Sequence, residues 1–222
     1  MPAALVREHV LRLVDAAAAD PSGTVPIVQA GHPALRLRAV PFDGQVGDDE
    51  LGALVALMRR TMHAAPGVGL AAPQIGLPLA VAVLADPGAA GTETGAVRER
   101  PALPFRVLVN PRYEPVPDEG DAPRRVGFYE GCLSVVGYQA VVARLRRVHL
   151  TGHDLDGTAL DEVLEGWPAR IVQHETDHLG GTLYLDRAEL RSLSATDEIG
   201  AHWASEPRPA EAARTLGFDL DA

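Results

Sequence analysis

Gln173-His174-Glu175-Thr176-Asp177-His178-Leu179 places two histidines four residues apart, with a glutamate directly after the first. On an α-helix, positions i and i+4 share a face one turn apart. Two imidazoles held in this way can grip one metal ion, and the glutamate beside them is placed to handle a proton. Local signals agree with a helix: Pro168 suits a first turn and Gly180-Gly181 suits an end. Trp167, Ile171, His174 and His178 fall at i, i+4, i+7 and i+11, on one stripe whose apolar members mark it as core-facing. A His-Glu-x-x-His string also arises by chance, and paired helical histidines are often plain surface residues. Burial shifts the balance, because two histidines on an apolar face need partners and a shared cation is one.

Two histidines rarely complete a site. Structural metal sites take four protein ligands, whereas catalytic sites take three and keep one position for water. A lone cysteine is by itself more often a small buried hydrophobe. Cys132 is nevertheless the strongest candidate third ligand, being the only cysteine and sitting on a turn between two strand patterns. Gly131 before it lets backbone come close to a ligand. A Cys-His-His set with one open position implies hydrolysis or lyase chemistry on an activated water.

Three separated strings, Gly67 to Gly76, Glu130 to Val135 and Gln173 to Gly181, occur in the order and spacing of the three motifs of the peptide deformylases, which the chain resembles over about residues 25–186. Gly137 to Val142 and Trp167 to Arg170 look like the actinobacterial and organelle-type branch. The resemblance implies that Cys132, His174 and His178 bind one divalent metal, iron(II) in the cell, although two imidazoles and a thiolate also accept zinc, nickel or cobalt. It implies Glu175 as general base and then general acid, with Gln74 and the backbone N–H of Leu133 as the oxyanion hole. Val68, Gly69 and Gly131 would line a groove in which an extended peptide pairs with backbone, and Trp167 and Ile171 would face an unbranched apolar side chain. The implied substrate is the formyl-methionyl end of a nascent polypeptide, the implied products are formate and a free amino terminus, and the ribosome is a further partner to test. Two positions depart from the family pattern: Val136 stands where many members have proline, and Val142-Ala143-Arg144 where many have Val-Pro-Arg.

Hydrophobic residues make up 46% of the 222, enough for one domain with a real core. A net charge of −10 argues against general nucleic-acid binding by charge alone. The one tight basic group, Arg144, Arg146 and Arg147, reads as a solvated strand face. No apolar run approaches the ~20 residues that span a bilayer. Arg7, Glu8, Arg12 and Asp15 interrupt the amino terminus too often for a signal peptide, which points to a cytoplasmic protein.

Helical patterns cover Ala4 to Ala18 and a segment capped by Asp48, and strand patterns cover Leu79 to Ala85, Phe105 to Asn110, Gln139 to His153 and Thr158 to Leu164, the last two joined by an Asp156-Gly157 turn. Asp86 to Arg100 reads as a mobile surface loop, and a polar loop runs on to Arg125. The expected fold is α+β, with mainly antiparallel sheets packed around a central metal-binding helix. The expected organisation is a helical extension over 1–24, a catalytic domain over 25–186, and an irregular tail over 187–222 that adds little to the core. Two other functions are weighed. A His-Glu-x-x-His metalloprotease would draw its third ligand from Glu189 or His202, and a structural metal site in a binding module would need a fourth ligand.

Overall fold

The computed structural model describes residues 2–118 and 122–220. Residues 119–121 of the polar loop, Met1 of the extension and residues 221–222 of the tail lie outside the described residues. Helix α1 (Ala3–Ala19) buries Val6, Val10 and Ala17 against α2 (Asp48–Ala64), and Arg7 of α1 pairs with Glu50 of α2. The cap of α2 is Gly47 and not Asp48. The reason is Glu50, whose carboxylate accepts the Gly47 N–H at 3.1 Å and moves the helix start back by one residue.

Strands β1 (Gly69–Ala71), β2 (Val81–Asp86), β3 (Leu103–Pro115), β6 (Arg147–His153) and β7 (Ala159–Glu165) form a five-stranded sheet in the order β1-β2-β3-β6-β7. Strands β4 (Arg125–Cys132), β5 (Val135–Leu145) and β8 (Ala188–Ala195) form a second sheet in the order β4-β5-β8. All of these strands pair antiparallel, as the α+β expectation requires. On β2, Val81 and Val83 face α1 and α2, whereas Ala82 and Leu84 face Ile171 and Val172 of helix α4 (Gly166–Leu179). A sheet covered on both faces makes its central strand apolar at every position, which is why this segment shows no alternation. Helix α4 packs against strands of both sheets, so the histidine helix sits at the centre of the molecule.

Three further expectations are corrected. Gln139 to His153 is not one strand: the chain bends at Arg146 and passes from the three-stranded sheet to the five-stranded one. Asp86 to Arg100 is structured, with a short helix α3 (Glu93–Val97) capped by the Thr92 hydroxyl, an Arg100–Asp86 ion pair, and Glu99 accepting the Trp167 N–H. The tail is not irregular. Its β8 extends the second sheet, and α5 (Thr196–His202) and α6 (Ala210–Leu216) follow. Ile199, Trp203, Phe218 and Leu220 then pack on Tyr129 and Val141. β8 has an inverted pattern that hid it, with Leu190 and Leu193 exposed and Ser192 buried. The Ser192 hydroxyl accepts the Val141 N–H at 2.6 Å where the β5–β8 register shifts, so a polar side chain fills a ladder position.

Candidate metal centre and substrate groove

Cys132 ends β4 where the pairing with β5 slips between Gly131 and Cys132. That irregularity turns the thiol toward α4, where Sγ lies 3.2 Å from His178 Nε2. His174 and His178 stand one helical turn apart with ring centroids at 5.0 Å, and the donor atoms of the three residues all lie within 4.8 Å of one another. Bonds of ~2.0–2.3 Å from each donor to one ion fit this spacing. Among the described residues no fourth histidine, cysteine or carboxylate joins the group, so the donor count is that of an open site and not of a closed structural one. Glu189 and His202 lie outside it, on β8 and α5.

His174 Nδ1 lies 3.1 Å from Glu130 Oε2, which fixes the ring and leaves Nε2 for a metal. Burial would lower the His174 pKa, but Cys132 and Glu130 hold it well above its ordinary value. Burial and the His174 charge hold His178 well below its ordinary value, so its lone pair is available. Glu175 is 4% exposed and its Oε2 has no hydrogen-bond partner among the described residues. Burial pushes its carboxyl up to about 7, near the value a general base needs at neutral pH. Glu175 lies close against the Gly69 backbone. A Cβ there would stand 2.2 Å from Glu175 Oε1, so any larger residue at 69 must push the carboxylate aside.

Behind the donors is a buried charge network that sequence reading missed. Arg144 binds Glu130 through two nitrogens, each at 3.0 Å, and also pairs with Asp177. Arg170 turns inward and pairs with the same Glu130, while Asp177 accepts from Tyr113 Oη at 2.9 Å and pairs with Arg187. The reading of Arg144, Arg146 and Arg147 as one solvated face is therefore wrong for Arg144. Arg144 shares strand parity with Ala140 and Val142, both buried, and that parity was the available signal.

The groove beside the donors has a volume of about 730 Å³. Val68, Gly69 and Gln74 line one side of it, Gly131, Cys132 and Leu133 another, and Trp167, Ile171, His174 and Glu175 its helical wall. His178 lies behind this surface, 1% exposed. Gln74 is buried, with Oε1 accepting the Ala71 N–H at 2.8 Å and Nε2 aimed at Cys132 Sγ at 3.5 Å. The Leu133 side chain packs into the main core and its carbonyl accepts from Gln29. Arg98, Arg100 and Thr196, from segments that looked peripheral, also line it, as does Tyr138 of the Gly137-to-Val142 stretch. Tyr184 also escaped notice. It is buried, stacks on the His174 ring at 6.2 Å between centroids, and donates from Oη to the Tyr138 carbonyl at 3.0 Å.

The chain matches the family profile described as Polypeptide deformylase over residues 24–193. It is 59% identical over 198 residues to Peptide deformylase 3 of Streptomyces avermitilis, covering 89% of this chain and 86% of that one. It is 39% identical over 178 residues to Peptide deformylase 1A, chloroplastic/mitochondrial, of Arabidopsis thaliana, covering 78% and 64%. Among solved structures it resembles the peptide deformylase of Synechococcus elongatus in complex with actinonin, with a TM-score of 0.60 and 30% identity over 90% of this chain and 89% of that one. It also resembles the Met-Ala-Ser-bound class I type b enzyme of Acinetobacter baumannii, with a TM-score of 0.62 and 32% identity over 74% and 98%. With matches of this extent over both the sequence and the fold, the chain belongs to the polypeptide deformylase family.

Proposed function

We propose that this protein removes the formyl group from the amino-terminal formyl-methionine of newly made polypeptides and releases formate. The observation that carries this reading is the convergence of Cys132, His174 and His178 on one point at the wall of a peptide-sized groove, with the unpartnered Glu175 carboxylate beside them. These three residues would hold one divalent ion, iron(II) in the cell, with zinc, nickel or cobalt also compatible with the donor set. When bound, the ion supplies Lewis-acid polarisation of the formyl carbonyl and acidifies a water molecule.

The remaining chemistry belongs to the chain. Glu175 takes the proton of the attacking water and returns it to the departing amine, which could not leave as an amide anion. The Gln74 amide and the Leu133 N–H donate to the developing oxyanion, each worth roughly 10²–10³ in rate in comparable sites. Gly69 and Gly131 leave the substrate backbone room to pair, and Val68, Trp167 and Ile171 hold the methionine side chain. Glu130, hydrogen bonded to His174, keeps that ring in register. The Met-Ala-Ser complex of the Acinetobacter enzyme supports a peptide ligand for this groove. No helix of the described residues is long and apolar enough to cross a membrane. The same reading puts the protein in the cytoplasm, with its substrate presented by the ribosome. It assigns catalysis to residues 25–186, flanked by the 1–24 extension and the 187–222 tail.

Glu175→Gln tests the mechanism with formate release from formyl-Met-Ala-Ser as the readout. The variant should fold, retain its metal and bind the peptide, while kcat falls by roughly 10²–10⁴. Near-normal turnover in the metal-loaded variant would refute Glu175 as the proton carrier, and loss of metal would make it a ligand instead.

A further inference from the structure

We propose that Arg98 forms an anion subsite in the groove wall, one that favours formyl-methionyl peptides carrying an aspartate or glutamate within the first residues after the methionine. This rests on the deformylase reading and adds to it a substrate preference.

Arg98 follows directly on α3, in the segment between Asp86 and Arg100. Its guanidinium carbon lies 5.0 Å from the Trp167 ring centroid and 5.6 Å from that of Phe128. Its Nε donates to the Pro207 carbonyl at 3.2 Å. Two aromatic faces and one carbonyl thus hold the group in place, half-buried, at the wall of the groove. The other guanidiniums of that wall are neutralised: Arg100 binds Asp86 through two nitrogens at 2.8 and 2.9 Å, and Arg170 pairs with Glu130. Arg98 forms no ion pair with any carboxylate among the described residues, and its charged neighbours include Arg100 and Arg170, both of like sign. Burial, with Arg100 beside it, lowers its pKa, as befits a cation that has lost water without gaining a counter-charge.

A guanidinium fixed in this way loses little freedom when it binds, and its two terminal nitrogens suit a carboxylate bidentately. The groove exceeds the needs of formyl-methionine alone, so the following residues of an extended peptide reach the same wall. A carboxylate could come from a side chain or from the carboxyl end of a short peptide, and amidated peptides separate the two sources.

The experiment compares kcat/KM for C-terminally amidated formyl-methionyl tetrapeptides with Glu, Ala or Lys at each of the two positions after methionine, using the metal-loaded full chain. At one of these positions Glu should exceed Lys by roughly tenfold at low salt, a difference that shrinks as ionic strength rises. Arg98→Gln should bring the Glu/Lys ratio near unity and Arg98→Glu should invert it. The ratio is taken within each variant, so any general loss of activity cancels. No Glu preference in the wild type at either position, or a preference that survives Arg98→Gln, would overturn the subsite. A preference confined to peptides with a free carboxyl end would assign Arg98 to that terminus and equally overturn it. Absence of turnover on the Ala peptide in the wild type would instead refute the deformylase reading itself.

Discussion

Replacing Arg144 by methionine tests whether the charge network behind the metal donors supports the fold. Arg144 is 3% exposed and bridges Glu130 and Asp177. Removing one partner from a buried ion pair typically costs about 3–5 kcal/mol, because a charge is left without compensation. Here neither carboxylate is wholly stranded: Glu130 keeps Arg170 and His174, and Asp177 keeps Arg187 and Tyr113. The lower end, about 3 kcal/mol, is therefore expected. For a chain of this length that corresponds to a fall in Tm of roughly 6–12 °C.

The pH dependence follows from Glu130. Burial would raise its carboxyl, but the Arg144 and Arg170 guanidiniums more than offset this and hold it well below the ordinary carboxylate range. Its stabilisation is thus present above the unfolded pKa of about 4.3 and is lost as pH falls through the depressed folded value. Without Arg144 the folded value moves up, so acid destabilisation of the variant should begin at higher pH than in the wild type. Urea and thermal unfolding of metal-loaded and metal-stripped protein between pH 3 and 7 would measure both effects. Arg147→Ala, a partly exposed control, should stay within about 0.5 kcal/mol. A loss below about 1 kcal/mol for Arg144→Met, or an unchanged acid limb, would refute the assignment of stability to this network.

Cys132→Ala should lower metal affinity by at least about 100-fold, read by metal analysis after dialysis, since loss of a direct ligand exceeds the 10–100-fold of an outer-shell partner; stoichiometric metal would place the third ligand elsewhere. Gly69→Ala should displace the Glu175 carboxylate and cut kcat by about 10²-fold with metal content unchanged; unaltered kcat would show that Glu175 has room to move. Tyr184→Phe should cost about 0.5–1.5 kcal/mol through the lost hydrogen bond to the Tyr138 carbonyl, and should raise KM for peptides more than it lowers kcat. Ending the chain after Ala188 removes most of β8 with α5 and α6, leaves β5 as an edge, and should yield protein that aggregates or melts well below the full chain; a soluble truncation of unchanged Tm would contradict this.

The histidine helix, its two imidazoles and the candidacy of Cys132 were legible in the sequence because local rules govern them. The i, i+4 spacing of His174 and His178, the apolar stripe of α4 and the single cysteine depend on helical periodicity and residue chemistry alone. The α+β class was legible for the same reason, since hairpin signals and short apolar runs mark antiparallel strands wherever they occur. What only the tertiary structure decided are the contacts between segments distant in sequence. The Glu130–Arg144–Arg170–Asp177 network joins two strands and a helix, and no window of the chain contains it. The inward turn of Arg170 and the approach of Arg98 to Trp167 depend on neighbours supplied by other elements. β8 lacked a readable pattern because Leu190 and Leu193 are exposed, Ser192 is buried and the register with β5 shifts, so its pairing with β5 rather than its own periodicity makes it a strand. Local sequence specified the chemical groups, and long-range packing specified which of them are charged, paired and turned toward the groove.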